Sequence, residues 1–334
     1  MKKSLIYLFS LLCMLTLVTS CSDDEKGGTD DAWKEISKDY TSDKLSIGTV
    51  STSGTISVNA ASADKATIIL NNVVAGESSV SVDATLTKTD AGYAFEGEST
   101  ATTCNVKVSG TIENGKLTAA ISRTLTSALA GTLNLNYVPY MNDMQIAQAH
   151  ARFNTGDAQM DAMLNNMAAP VVGQLIAKEV ESVTVNLGEE GTFSFSFKKV
   201  GASEETVMPP AKLQEMIKSY LTWYEKENVL YLAVHKDALT ILSGLNILPE
   251  NIDLETILGL LTVEGDYYTI PLQVKEEDGL TTIYLNKDIL VKAWEVAKPL
   301  VGNIQDETIQ SILAMVDQVM AKAKEIEFGL VFKK

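Results

Sequence analysis

Two histidines, three cysteines and a few runs of acids are the side chains in this 334-residue chain that could do chemistry. His150 stands in QAHARF and His235 in LAVHKDA, with neither a carboxylate nor a second histidine at metal-ligand spacing. That pattern fits a core or surface imidazole better than a ligand or a general base. The sequence has no HExxH, CxxC, GxSxG, Walker A lysine or GxGxxG, so it announces no zinc, thiol-redox, nucleotide or dinucleotide chemistry, and no cofactor is expected. A Ser-His-Asp arrangement is left open, because its members need not be neighbours in sequence. A glycosidase requires only two carboxylates flanking the scissile bond. The candidates, Glu189-Glu190, Glu204-Glu205 and Glu276-Glu277-Asp278, fall at hairpin turns or in a connecting loop, where acids are ordinarily solvated. In PENIDLETI, Asn251, Asp253 and Glu255 alternate as calcium ligands can, but the glycine and distal glutamate of an EF-hand loop are missing. Acids at a helix start explain that stretch better, and no metal site is expected.

Two constellations could bind rather than react. Tyr220, Trp223 and Tyr224 lie within one and a half turns of the helix expected from PPAKLQEMIKSYLTWYEK, and with Tyr267, Tyr268 and Trp294 they could line an aromatic pocket or a sugar-stacking platform. The competing account is helix-on-sheet packing. Met160, Met163 and Met167 recur at helical spacing and could form either a soft, lipid-like surface or the inner face of an amphipathic helix.

The remaining chemistry belongs to a cysteine. MKKSLIYLFSLLCMLTLV has two lysines followed by an apolar run of secretory-signal length, too short to span a membrane permanently. Thr19 and Ser20 before Cys21 resemble a bacterial lipobox, which implies acylation of Cys21 after removal of residues 1–20. Ser22, Asp23, Asp24 and Glu25 resemble the surface-export tract of Bacteroidetes lipoproteins, and residues 21–39 read as a solvated acidic tether. Cleavage removes Lys2 and Lys3 and no acid, leaving 25 basic against 43 acidic side chains, a formal charge of −18. Such a field repels phosphate backbones, so nucleic acid is not an expected partner. Cys104 then remains as the only other thiol of the mature chain, and no internal disulfide can form.

The texture of the chain changes near residue 138. Between residues 41 and 135, 29 of the side chains are Ser or Thr and only Tyr93 and Phe95 are aromatic, whereas every mature methionine lies beyond residue 140. Two differently built domains, 40–138 and 139–334, account for this. In the first, ESSVSVDATLTKT alternates apolar and polar residues, and CNVKVSGTIENGKLTAAIS does so on both sides of Asn114-Gly115, a two-residue hairpin turn. With SGTISVNA, ATIIL, TDAGYAFEG and AGTLNLNY the count is about eight antiparallel strands, a barrel or sandwich in which Cys104 shares the inward parity of Val106 and Val108. With so few aromatic rings, the domain should be either flattened or hollow. In the second, residues 153–180 read as a helix with Pro170 inside, VESVTVNLGEEGTFSFSFKK and YYTIPLQVKEEDGLTTIYLN as hairpins, VLYLAVH and IEFGLVF as strands, and DETIQSILAMVDQVMAKAKEI as a helix. That order gives an α+β domain, an antiparallel sheet with helices on one face.

SGTISVN, KATIILNNV, YAFEGEST and VKVSGTIENGKLTAAI, placed after a lipobox and an acidic tether, resemble the Bacteroidetes envelope lipoproteins of unknown function that carry a calycin-like β-barrel. The resemblance covers roughly residues 40–137 and brings no site residues with it. It implies a protein held in the outer membrane by its lipidated cysteine and facing the cell surface. The expected activity is non-enzymatic binding of an apolar small molecule or a glycan, with Tyr220, Trp223, Tyr224, Tyr268 and Trp294 as the candidate pocket. A surface structural or adhesion subunit is the alternative, and a hydrolase with paired carboxylates a more distant one.

Overall fold

A computed structural model describes residues 32–48, 50–209, 219–243, 258–301 and 307–334. Among these, the chain from Trp33 onward forms one compact unit containing two large β-sheets of different construction and a separate two-stranded ribbon, Tyr137–Pro139 with Gln145–Ala147.

The first sheet is a meander. β1 (Asp39–Thr41) and β2 (Leu45–Ile47) are followed by β3 (Thr55–Ser62), β4 (Lys65–Asn71), β5 (Ser79–Lys88), β6 (Gly92–Thr100), β7 (Cys104–Glu113) and β8 (Lys116–Leu125). Strands β3 to β8 pair antiparallel with their neighbours in sequence, and burial in β5 alternates strictly as the residue types do. Between β7 and β8, Asn114 and Gly115 both take positive φ (50° and 75°), the mirror-image turn that suits the twist of a hairpin. Closure comes from nine residues. β1 pairs antiparallel with β3, and β2, one short 3-10 turn later, pairs parallel with β8, so residues 39–47 engage both edges of the meander and nearly close it.

The interior is neither flattened nor hollow. Ile56, Val58, Ile68, Leu70, Val82 and Val106 are all fully buried, together with Cys104. Tyr40, just ahead of the ring-poor stretch, adds the missing bulk; it is fully buried, its hydroxyl donates to Ile36 O at 3.0 Å, and burial pushes the phenol pKa up to about 12. Phe95 lies over Gly110 on the next strand, where any Cβ would stand 2.7 Å from the ring. The inward parity of Cys104 is borne out, and burial raises its thiol pKa first of all. We therefore expect a thiol reagent to modify Cys104 over hours in the native protein and within seconds in denaturant; comparable rates would mean that the β7 register is shifted by one residue.

The sequence places AGTLNLNY as the last strand of this barrel, and the structure corrects that. β9 (Gly131–Leu135) pairs instead with β13 (Val180–Leu187) and β21 (Glu325–Lys333) of the second sheet. The reason is geometric, since the outer edge of β8 is already occupied by β2.

The second sheet is antiparallel throughout. After β10 (Tyr137–Pro139) and β11 (Gln145–Ala147) come β12 (Ala149–Asn154), β13, β14 (Phe193–Lys199), β15 (Thr206–Met208), β16 (Leu221–Lys226), β17 (Val229–His235), β18 (Thr262–Glu264), β19 (Tyr267–Glu277), β20 (Leu280–Asn286) and β21. Its spatial order is β15-β14-β13-β9-β21-β20-β19-β17-β16, with β12 on β21 and β18 on β19. The helices among the described residues are α1 (Ala32–Glu35), α2 (Ala158–Glu179), α3 (Lys236–Ser243), α4 (Lys287–Val301) and α5 (Glu307–Lys322). From α2, α4 and α5, Leu164, Leu290, Val319 and Met320 close over Ile326 and Phe153, which lie opposite each other on one sheet face. Among the described residues no helix is long and apolar enough to cross a membrane.

A second correction concerns LTWYEK, expected in a helix. It is strand β16, joined to β17 by Glu227 and Asn228, both at positive φ (55° and 62°). Tyr220, Trp223 and Tyr224 do fit an i, i+3, i+4 pattern, but their neighbours are aromatic and β-branched, and pairing with Val229–His235 decides the outcome. The same core runs through both sheets, from Ile68 and Val82 in the barrel to Trp223, Leu230 and Phe332 in the second.

Candidate ligand-binding face

Both faces of the second sheet bury apolar residues near β16 and β17, and polar groups gather toward β20, β21 and β12. A single row crosses five strands on one face: Val229, Gln273, Tyr284, Gly329 and His150 are successive partners on β17, β19, β20, β21 and β12. Gly329 makes the row work. A Cβ there would stand 2.1 Å from Ile283 O and 2.5 Å from Tyr284 Cα, so only glycine lets β20 approach so closely. The Tyr284 ring lies 5.1 Å from the His150 imidazole, tilted by 51°. Beside them Glu327, opposite Arg152, divides its two oxygens between two donors, accepting from His150 Nε2 at 2.9 Å and from Arg152 Nη1 at 3.1 Å. Arg152 also reaches Glu325 at 3.8 Å. His150 and Glu327 retain 26% and 23% of their side-chain exposure and Arg152 60%, so the three polar groups are open to a solute yet held in place. Burial, with the Glu327 charge next, raises the Tyr284 phenol above its ordinary value and keeps it a neutral donor and acceptor. A ring face flanked by fixed hydrogen-bonding groups can stack on a sugar and bond its hydroxyls. It is not a glycosidase arrangement, since the two glutamates share one guanidinium instead of flanking a cleft.

The other cluster of titratable groups holds the two sheets together. Asp237 accepts from Ser51 N at 2.9 Å and Ser51 Oγ at 2.8 Å, and Asp266 does the same for Ser53, at 2.7 Å from each. Lys236 Nζ donates to Asp266 at 2.5 Å. His235, 2% exposed, accepts the Asp237 N–H on Nδ1 at 3.2 Å and meets the Tyr267 ring edge-on at 5.1 Å. Serine, histidine and aspartate are thus adjacent without forming a nucleophile. The Ser51 hydroxyl donates to the carboxylate, and the Nδ1 that a triad carboxylate would orient is taken up by backbone. Burial acts on Asp266 first and raises its pKa, but the Lys236 and Ser53 bonds outweigh it and hold the carboxyl at about 2. Nearby, Arg123 on β8 donates to Ala75 O at 3.0 Å, to Trp223 O at 3.2 Å and to Thr222 Oγ1, tying the barrel to β16.

The residues expected to form an aromatic pocket are dispersed. Trp223 and Tyr224 are adjacent on a strand and so point to opposite faces, and both are fully buried. The Trp223 indole donates to Gly188 O at 2.9 Å. The Tyr224 ring stacks on Tyr231 at 4.9 Å and packs against Gly76 of the barrel, and its hydroxyl donates to Glu264. Tyr220 lies 6.2 Å from His235. Tyr268 is half-buried on β19, opposite Val234. Trp294 on α4 donates to Asp317 on α5 at 2.7 Å; these helices cover β20 and β21, whereas β16 lies three strand spacings, or about 14 Å, beyond β20. Cys21, Ser22, Asp23, Asp24, Glu25, Asn251, Asp253 and Glu255 lie outside the described residues. Glu189, Glu190, Glu204, Glu205, Glu276, Glu277 and Asp278 are exposed, and among the described residues no group of three or more His, Cys, Asp or Glu gathers as metal ligands would. Sequence reading missed the pairing of His150 with Glu327, residues 177 positions apart that only the β12–β21 register brings together.

No protein-family model matches the chain, and neither does any curated protein or solved structure.

Proposed function

We propose that this chain is a cell-envelope lipoprotein, held in the outer membrane through an acylated Cys21 and displayed at the cell surface, that binds a glycan without transforming it. The Tyr284 row supports the binding part, because it offers a half-buried ring beside His150 and beside Glu327 and Arg152, whose opposite charges are paired. That pairing favours a neutral sugar over an anionic one. An apolar small molecule is the weaker choice, since Trp223 and Tyr224 have no free face to offer it. The envelope placement rests on the signal, Cys21 and the acidic residues that follow it.

The test is calorimetric titration with neutral glucan and mannan oligosaccharides, preceded by native mass spectrometry of protein purified from its own host. Tyr284→Ala should weaken binding at least 10-fold, about 1.4 kcal/mol or more, while leaving the unfolding midpoint nearly unchanged. Saccharide binding that survives Tyr284→Ala and Glu327→Gln together would remove this face from the reading. A structural or adhesion subunit is the second reading, and a row of exposed apolar side chains on α2 favours it.

A further inference from the structure

We infer that one long acyl chain of a zwitterionic lipid binds between helix α4 and the second sheet, on the side of the sheet away from Tyr284. The site is separate from the glycan row, because strand alternation turns Ile283 and Leu285 to the face opposite their neighbour Tyr284. On that face Ile283 stands opposite Leu330 and Leu285 opposite Phe328, with Leu272 beside them on β19. Helix α4 leaves β20 at Asn286, whose side chain accepts from Ile289 N at 3.2 Å, and folds back over β20 and β21. Its Leu290 packs with Val319 and Ala323 against Ile326 of the same face. Ala293 and Ala297 follow Leu290 at i+3 and i+7, so the apolar stripe continues along the helix with small side chains.

Two apolar layers that meet in a core ordinarily bury each other. In the barrel they do, since Ile56, Val58, Ile68 and Leu70 are fully buried. Under α4 they do not: Leu272, Ile283, Leu285, Phe328 and Leu330 stay half-buried, and no described side chain of α4 is fully buried. The lining selects the occupant. These five side chains and the stripe on α4 carry no charge, hydroxyl or amide, so nothing there holds a polar ligand or satisfies a peptide backbone. A further helix or sheet would also need about 8–10 Å of its own between the layers, and Leu290 already seats α4 on Ile326. A flexible hydrocarbon chain needs neither partners nor that width. The net charge of −16 disfavours a free carboxylate at its end, which selects a zwitterionic head group left in the solvent. Trp223 and Tyr224 take no part.

The test uses the chain from residue 21 onward carrying Cys21→Ala, titrated with the neutral fluorophore N-phenyl-1-naphthylamine. Its emission should rise to saturation and be displaced stoichiometrically by 1-oleoyl-lysophosphatidylethanolamine. Ala293→Phe fills the site, so lysolipid binding should weaken about 10-fold or more while the unfolding midpoint holds or rises. Tyr284→Ala should leave lysolipid binding unchanged, which separates this site from the glycan row. A lysolipid with a diazirine near the end of its acyl chain should label peptides of β20, α4 and β21. Failure of the lysolipid to displace the fluorophore overturns the proposal, and displacement by oleate alone overturns the choice of lipid. Labelling confined to the exposed methionines of α2, or lysolipid binding that survives Ala293→Phe while the midpoint falls, overturns the placement under α4.

Discussion

Asp266→Ala is expected to lower the free energy of unfolding by about 3 kcal/mol, the largest single-residue effect that the junction between the sheets offers. Asp266 is 5% exposed and accepts three bonds, from Ser53 N, Ser53 Oγ and Lys236 Nζ. A carboxyl held at about 2 instead of 3.8 corresponds to about 2.5 kcal/mol at neutral pH. Its removal also takes from Ser53 N and Ser53 Oγ the one acceptor they share, which accounts for the rest. Chemical denaturation followed by tryptophan emission measures this directly. A loss below about 1 kcal/mol would mean that the barrel and second sheet do not depend on this staple.

The same junction should weaken in acid in two steps. His235 is held below its ordinary 6.5, by burial above all, so its neutral form carries stability that is complete above pH 6.5 and is lost as pH falls through the lower native pKa. Asp237 is held below 3.8 because its bonds to Ser51 outweigh the upward push of burial, and Asp266 behaves likewise. Their contribution is present above about pH 4 and is lost as pH falls toward 2. The upper step should vanish in His235→Asn, whose amide oxygen can still accept the Asp237 N–H, while the lower step stays.

Cys21→Ala is expected to release the protein entirely from the membrane fraction, the all-or-none counterpart of these graded effects. One thiol carries the whole proposed attachment, and no described helix could substitute for it. The measurement is fractionation with palmitate labelling, and a variant that stays membrane-bound and labelled would refute the anchoring. Replacing Asp23, Asp24 and Glu25 with alanine should separately shift the protein from protease-accessible to protease-protected on intact cells.

What could be read from the sequence was what is encoded locally. The strict alternation of β5, the Asn114-Gly115 and Asp278-Gly279 turns, and the helices α2 and α5 each declare themselves within a dozen residues. LTWYEK failed because its ring spacing satisfies a helix as well as a strand; the better signal was Asn228 between two aromatic, β-branched runs, which closes the β16–β17 hairpin. Strand β9 has unambiguous alternation, yet nothing local says which sheet has a vacant edge. The functional groups lie further still from local pattern. Ser53 and Asp266 are 213 residues apart, and His150 and Glu327 meet only because two strands pair in one register. The candidate aromatics went the other way, since burial in a shared core consumed Trp223 and Tyr224 once the barrel came to rest on β16.

The closure of the barrel by residues 39–47 bears on how the protein would respond to being pulled. The described chain begins at Ala32; Ile36 is buried four residues later, and Tyr40 eight. Any load applied from the N-terminal side therefore reaches the latch of the barrel before it reaches any other part of the body. That latch is two strands of three residues each, one paired to β3 and the other to β8. Under tension the seam would part there first, exposing the edges of β3 and β8 while the second sheet, fastened through Asp266, Asp237 and Arg123, remained whole. In a chain pulled from that side, the same nine residues that shut the barrel would be the ones to open it.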